Sequence, residues 1–337
     1  MNTIICEEVG RFQWARMAKP SPSPGEAIIR VKRIGICGTD LHAYRGNQPF
    51  FTYPRILGHE LSGVIEWIDD QESGLKAGDT VSVIPYLHCG SCIACRNGKT
   101  NCCTSMRVLG VHIDGGMREY ISVPVTHLLE ANAVSLDHAA LVEPLSIGAH
   151  AVRRAGLAQG EHVLVIGGGP IGLGVMAIAK LQGARVIAMD IDEERLTFSK
   201  TWAGVDETVN ARENPSEAIA ALTNGEFPTV VFDATGNARS MSGAVHYLAH
   251  GGRLVYVGLV KGDIALDDSE LHKRETTLLC SRNAVREDFE YVLGLIREGR
   301  LQLDAYVTHR APFGQMIDRF EEWLNPSSKV IKAIVEL

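Results

Sequence analysis

The sequence predicts an α/β chain of two domains, a doubly wound parallel-sheet domain inserted into a β-rich one. Three observations lead there. Short strands and frequent turns fill the first 145 residues, strand and helix alternate over 146–282, and mixed structure returns over 283–337. A length of 337 residues agrees with two domains as a soft prior.

In the first region, residues 28–34 alternate as a strand behind a loop marked by Pro20, Pro22, Pro24 and Gly25. Residues 62–68 and 80–84 read as further strands, with a turn at 76–79. Such a run of short strands suits a small barrel-like domain. In the middle region strands are expected at 162–166, 185–190, 229–233, 253–257 and 277–281, and helices at 172–182, 193–203 and 241–248. That alternation implies a parallel sheet covered on both faces. Residues 287–298 have helical spacing, and 329–336 read as a final strand that returns the chain to its first domain.

Composition narrows the function classes. The chain is 45% hydrophobic and 22% charged, with a net charge of −7, and offers no basic footprint for nucleic acid. Its N-terminus lacks the basic start and apolar core of a signal peptide. The longest uncharged run, residues 163–179, is rich in glycine, carries Pro170 and falls short of a membrane span. A cytoplasmic protein with no membrane partner is expected. Eight cysteines without an export signal argue against a disulfide framework, and five of them crowd between Cys89 and Cys103.

The glycine run is the most specific motif. An apolar strand at 162–166 leads directly into Gly167-Gly168-Gly169-Pro170-Ile171-Gly172, where a helix opens. The frame Gly167-x-Gly169-x-x-Gly172 allows a tight turn, close approach to a pyrophosphate and close helix–strand packing. The helix N-terminus then offers N–H groups and a positive dipole end to the phosphates. Asp190 closes the next strand, where a carboxylate binds the ribose hydroxyls of NAD and repels the extra phosphate of NADP. Arg195 lies close enough in sequence to touch a phosphate. Incidental glycines in a strand–helix turn are the competing reading, and the full strand–helix–strand–acid context stands against it. NAD is the expected cofactor.

Cys89-x-x-Cys92-x-x-Cys95 sits in a lobe spanning about 88–104, with Cys102 and Cys103 as competitors for a fourth position. Four thiolates close a tetrahedron and leave no place for substrate, so the expected metal is a structural zinc. An iron–sulfur cluster is the alternative. Cys6 and Cys280 sit in apolar runs and read as inert thiols.

A second donor set lies in Gly35-Ile36-Cys37-Gly38-Thr39-Asp40-Leu41-His42 and Leu57-Gly58-His59-Glu60. Cys37, His59, Glu60 and the distant Glu143 are candidates for an open, catalytic zinc site. Thr39 is placed to take a proton from a substrate hydroxyl, and His42 to relay it to solvent. Asp40 is expected behind His59, fixing its tautomer. Singly each has a bland reading: His42 as a surface histidine, Glu60 as a capped carboxylate, Glu143 as the start of a helix. Their joint occurrence with a dinucleotide motif favours chemistry.

Taken together, these blocks and Glu143-Pro144-Leu145 resemble the zinc-dependent medium-chain dehydrogenases/reductases over essentially the whole chain. The resemblance implies a GroES-like catalytic domain with an inserted Rossmann domain, one catalytic and one structural Zn2+ per chain, and a homotetramer or homodimer. It selects Cys103 as fourth ligand of the lobe, and matches Cys37 and His59 to the catalytic ligands. Glu143 stands where the alcohol dehydrogenase branch has cysteine. That is the pattern of the sorbitol and threonine dehydrogenase branch, in which Glu60 or Glu143 completes the shell.

Further blocks are similar to bacterial dehydrogenases of L-galactonate-type sugar acids: Arg45-Gly46-Asn47-Gln48-Pro49-Phe50-Phe51 with Tyr53-Pro54-Arg55, Leu109-Gly110-Val111-His112 with Asp114-Gly115-Gly116, Asn101-Cys102-Cys103, and Ser281-Arg282-Asn283-Ala284. In the family these loops border the substrate. The resemblance therefore implies Asn47, His112 and Arg282 as substrate residues, the arginine also suiting a carboxylate. The implied reaction is oxidation of a secondary hydroxyl of a sugar acid or polyol, with hydride transfer to NAD. Deoxy- or 2-keto-3-deoxy sugar acids, sorbitol and L-threonine are alternative substrates. An inactive NAD- and zinc-binding regulatory protein, and a zinc-free quinone-type reductase, are readings of other kinds. Retention of the ligands argues against both.

Overall fold

The computed structural model describes residues 1–48, 50–70 and 72–337. Pro49, within the loop block at 45–51, lies outside the described residues. The chain forms two compact units, Met1–Glu143 with Val285–Leu337, and Pro144–Ala284.

In the first unit the strand Glu26–Ile36 is the hub. It pairs antiparallel with Glu60–Ile68, Tyr120–Pro124 and Lys332–Glu336. The sheet order runs Val307–Pro312, Lys332–Glu336, Glu26–Ile36, Glu60–Ile68, Thr80–Val83, Leu128–Glu130. Ala27, Ile29, Val31 and Ile34 are buried from the hub, and Leu61, Ile65, Val81 and Val335 join them in one core. Phe320, on the helix Met316–Trp323, seals that core, edge-on to Phe12. Pairing between the hub and Glu60–Ile68 is irregular between Ile28 and Ile29 and between Val31 and Arg33. Irregularities of this kind bend a sheet toward closure. The expected strands at 28–34, 62–68, 80–84 and 329–336 correspond to elements here, with shifted ends.

The second unit is a six-stranded, wholly parallel sheet. Its strands, numbered 1 to 6 in chain order, are His162–Ile166, Arg185–Asp190, Glu207–Asn210, Val230–Asp233, Arg253–Tyr256 and Thr277–Cys280, and their order in the sheet is 3-2-1-4-5-6, with strand 1 beside strand 4. Strand order reverses between these two, and their carboxyl ends open the crevice where such sheets bind ligands. Departures from expectation include unexpected helices at Pro215–Leu222 and Asp268–Lys273 and two features between Glu193 and Asn210. Strand 3, Glu207–Asn210, was not expected; Val209 is its one buried apolar side chain, too little for a period-2 signal. The expected helix at 193–203 is α-helical only over Glu193–Phe198 and then widens into a π turn, Ser199–Ala203, that ends at Gly204 in the left-handed region. Among the described residues no helix is long and apolar enough to cross a membrane.

Candidate active site

Cys37 follows the last residue of the hub strand and is the N-cap of the short helix Gly38–Tyr44. His59 immediately precedes the neighbouring strand Glu60–Ile68. Asp40 ties the two blocks together. Its fully buried carboxylate accepts from Cys37 N–H at 2.9 Å and from Gly58 N–H at 3.2 Å. His59 Nδ1 lies 3.7 Å from Asp40 Oδ1 and has no hydrogen-bond partner among the described residues. Asp40 thus acts on His59 through charge rather than through the tautomer-fixing hydrogen bond expected from sequence.

The sulfur of Cys37, a ring nitrogen of His59 and a carboxylate oxygen of Glu60 all lie within 4.8 Å of one another. Glu60 reaches this point because the hub is glycine there. Gly35 pairs with Glu60 across the strands, and a Cβ on Gly35 would come within 2.1 Å of Glu60 Oε2. Burial opposes a charged His59, yet Asp40, Cys37 and Glu143 outweigh it and hold its pKa well above the ordinary value. Burial raises the Glu143 carboxyl to about 7. A half-buried thiol, a buried imidazole and a buried carboxylate around one point fit a divalent cation, and the mixed sulfur, nitrogen and oxygen set fits zinc.

Glu143 stands outside that mutual 4.8 Å set, though close enough to bear on the His59 charge. Its Oε1 accepts from the Tyr86 hydroxyl. Both Glu60 oxygens accept from Lys332 Nζ, at 2.5 and 2.7 Å. Sequence reading missed Tyr86 and Lys332. The signal for the second was a lysine inside an apolar run at 331–335, where charge is seldom buried unpaired. Thr39 and His42 lie three apart on the helix Gly38–Tyr44 and so on one face, Thr39 half-buried and His42 exposed.

The lobe brings Cys89, Cys92, Cys95 and Cys103 together, and Cys102 is exposed outside the set. Cys89 and Cys103 sulfurs are 3.5 Å apart, as are those of Cys92 and Cys95, far beyond a disulfide bond. Backbone N–H groups of Cys89 and Ser105 donate to Cys103, and that of Cys92 to Cys89. Such donors favour thiolates, and four converging thiolates fit a closed zinc site.

In the second unit Gly169 caps the helix Pro170–Leu181, with Pro170 at its first position. A Cβ on Gly172 would meet Gly167 O at 1.8 Å, so glycine alone lets this helix start on the strand end. Asp190 Oδ2 accepts from Gly168 N–H at 2.6 Å and Oδ1 from Asp192 N–H at 3.0 Å, fixing the carboxylate beside the loop. The Arg195 guanidinium lies 3.6 Å from where a Gly169 Cβ would be. Thr235, after strand 4, packs against Gly167 and was not anticipated. The bare helix start, glycine cradle and fixed acid fit a dinucleotide.

The expected substrate residues fall in both units. Asn47 is exposed and its N–H donates to His42 O, closing the turn after the helix. His112 stacks on Phe50, with centroids 6.2 Å apart, and its Nδ1 accepts from Val108 N–H. The 45–51 and 109–116 blocks therefore meet. Arg282 is exposed and belongs to the Pro144–Ala284 unit.

The alcohol dehydrogenase GroES-like domain family matches residues 23–133, and the zinc-binding dehydrogenase family matches residues 170–298. L-galactonate-5-dehydrogenase of Escherichia coli K12 is 44% identical, over 99% of this chain and 98% of that one. The chain belongs to the zinc-binding alcohol dehydrogenases. It is also similar to the 2-dehydro-3-deoxy-L-galactonate 5-dehydrogenase of Pseudoalteromonas atlantica, 31% identical over 94% of this chain and 93% of that one. Among solved structures, a short chain alcohol dehydrogenase (rspB) from Escherichia coli CFT073, complexed with NADH, superposes with a TM-score of 0.93 at 30% identity. It covers 100% of this chain and 99% of that one. The GroES-like domain and the inserted Rossmann domain expected from sequence are those of this family.

Proposed function

We propose that the chain oxidises the C5 hydroxyl of an L-galactonate-type sugar acid, using NAD and zinc. The observation that carries this is the 44% identity, spread over 99% of the chain, to an L-galactonate-5-dehydrogenase. The 31% identical relative bears a name for the same carbon of a related sugar acid.

Cys37, His59 and Glu60 would hold the catalytic zinc, with Glu143 beside them, and Cys89, Cys92, Cys95 and Cys103 the structural one. Gly167, Gly169, Pro170, Ile171 and Gly172 would cradle the pyrophosphate, and Asp190 would take the ribose hydroxyls. Zinc held at the catalytic site would supply Lewis acidity toward the substrate hydroxyl, and NAD would supply the hydride acceptor. Thr39 takes the hydroxyl proton, and His42, exposed one turn on, passes it to solvent. Asn47 and His112 hold sugar hydroxyls, and Arg282 the carboxylate. Asp190 selects NAD over NADP by charge, with Arg195 against the cofactor's phosphate or ribose.

The test is NADH formation across L-galactonate, other aldonates, 2-keto-3-deoxy acids, hexitols and L-threonine. L-galactonate is expected to give the highest kcat/KM, with NAD preferred to NADP. Turnover of hexitols or L-threonine with none of any aldonate would overturn the substrate assignment.

A cytoplasmic homodimer or homotetramer completes the reading. The edge strand Thr277–Cys280 supports self-association, since it leaves Leu278 and Cys280 exposed and carries no charge or proline. Light scattering at the mass of a single 36.6 kDa chain would sink this part.

A further inference from the structure

The ribbon at the base of the cysteine lobe has a consequence for the other metal site. Strand Tyr86–Leu87 pairs antiparallel with Arg107–Val108. Cys89 begins the lobe two residues after this ribbon, and Cys103 ends it four residues before the ribbon resumes. The lobe thus stands on these two short strands. Tyr86, the first residue of the ribbon, is 5% exposed and points its hydroxyl at the buried Glu143. Its ring packs edge-on against Phe289, centroids 5.9 Å apart, and its carbonyl lies 3.2 Å from His127 Nε2. Backbone and ring are therefore both held, so the hydroxyl has a fixed place. Val108, opposite Tyr86, donates its N–H to His112.

Glu143 and Glu60 are held by different means. Glu60 is neutralised by an ammonium bonded to both of its oxygens. Glu143 Oε1 accepts from the neutral Tyr86 hydroxyl. A neutral donor orients the carboxyl group without supplying a counter-charge to it.

We infer that Tyr86 is a positioning residue for Glu143, and that through it the structural lobe fixes the carboxylate beside the catalytic metal. This rests on the assignment of Glu143 to the catalytic site made above. The lobe then has a task beyond its own stability. It carries one arm to Glu143 through Tyr86 and another to the substrate loop through Val108 and His112.

The test uses the zinc-loaded enzyme and its cobalt(II)-exchanged form. Tyr86→Phe keeps the ring and its contact with Phe289, and removes only the hydroxyl. Expected results are unchanged thermal unfolding, an unchanged four-thiolate metal, an altered visible cobalt spectrum, and release of the catalytic metal to a chelator on the order of 10-fold faster. kcat should fall with KM for NAD unchanged. In the Glu143→Gln background the Tyr86→Phe change should add nothing, because both act through one carboxylate. An altered Glu143→Gln enzyme with a Tyr86→Phe spectrum and release rate matching wild type overturns the inference alone. So do effects of the two changes that simply add. A Glu143→Gln enzyme with wild-type spectrum and release rate overturns the assignment of Glu143 itself, and the inference with it.

Discussion

Cys37→Ser is expected to abolish turnover and leave both fold and NAD binding in place. The fold should survive because Cys37 is an N-cap with an extended backbone, φ −94° and ψ 156°, and serine is among the best residues there. Asp40 would still accept from the backbone N–H of residue 37, since that bond does not involve the side chain. NAD binding should survive because the glycine loop and Asp190 belong to the Pro144–Ala284 unit. The metal site should not. Serine replaces a soft anionic donor by a neutral hydroxyl in a cluster where the other donors are one imidazole and one carboxylate. Loss of the Lewis acid removes several kcal/mol of transition-state stabilisation, so kcat/KM should fall by about 10³ or more. The checks are metal analysis, NADH-fluorescence titration and initial rates on one preparation. Full activity in a zinc-depleted Cys37→Ser enzyme would remove the metal from the mechanism.

The parts of this protein that could be read from sequence are those written over short distances. The glycine frame is legible because a strand, a turn and a helix N-terminus lie within one continuous stretch. Cys89, Cys92 and Cys95 are legible because two-residue spacings bring sulfurs together within single turns. The choice between Cys102 and Cys103 is not written in spacing. Adjacent side chains diverge, and the turn Thr100–Cys102 leaves Cys102 exposed and Cys103 buried. Asp40 was placed behind His59, but its larger part is to clamp Cys37 N–H and Gly58 N–H, which needs the hub strand and its neighbour in register. Strand Glu207–Asn210 was invisible because its burial comes from its neighbours in the sheet rather than from its own apolar content. Tyr86 and Glu143 are 57 positions apart, and Lys332 and Glu60 are 272 apart. No periodicity connects such pairs.

Lys332 yields the second large expected effect. Strand Lys332–Glu336 lies against the hub with Ala333 opposite Ile36 and Ile334 opposite Gly35, and Gly35 faces Glu60 on the other side. The ammonium is therefore delivered across a glycine to the carboxylate, with Ile36 O as a third partner at 3.2 Å. Its side chain is 1% exposed and that of Glu60 0%. Burial alone would depress the lysine pKa, but Glu60, then Tyr306 and Cys37, hold it above its ordinary value. Lys332→Met fills nearly the same volume and leaves the carboxylate unpaired. Breaking a buried pair from one side costs about 3–5 kcal/mol, and removing both charges together costs far less. In chelator, Lys332→Met should lose stability of that order in urea unfolding, and Lys332→Met with Glu60→Gln should recover most of it. In zinc the loss should shrink, because a metal beside Cys37 and His59 gives the freed carboxylate a cation to meet. Activity separates the same variants. The double variant should be stable yet impaired, since Glu60 stands within the donor set. If Lys332→Met were as stable as wild type in chelator, the buried pair of Lys332 and Glu60 would carry none of the stability assigned to it.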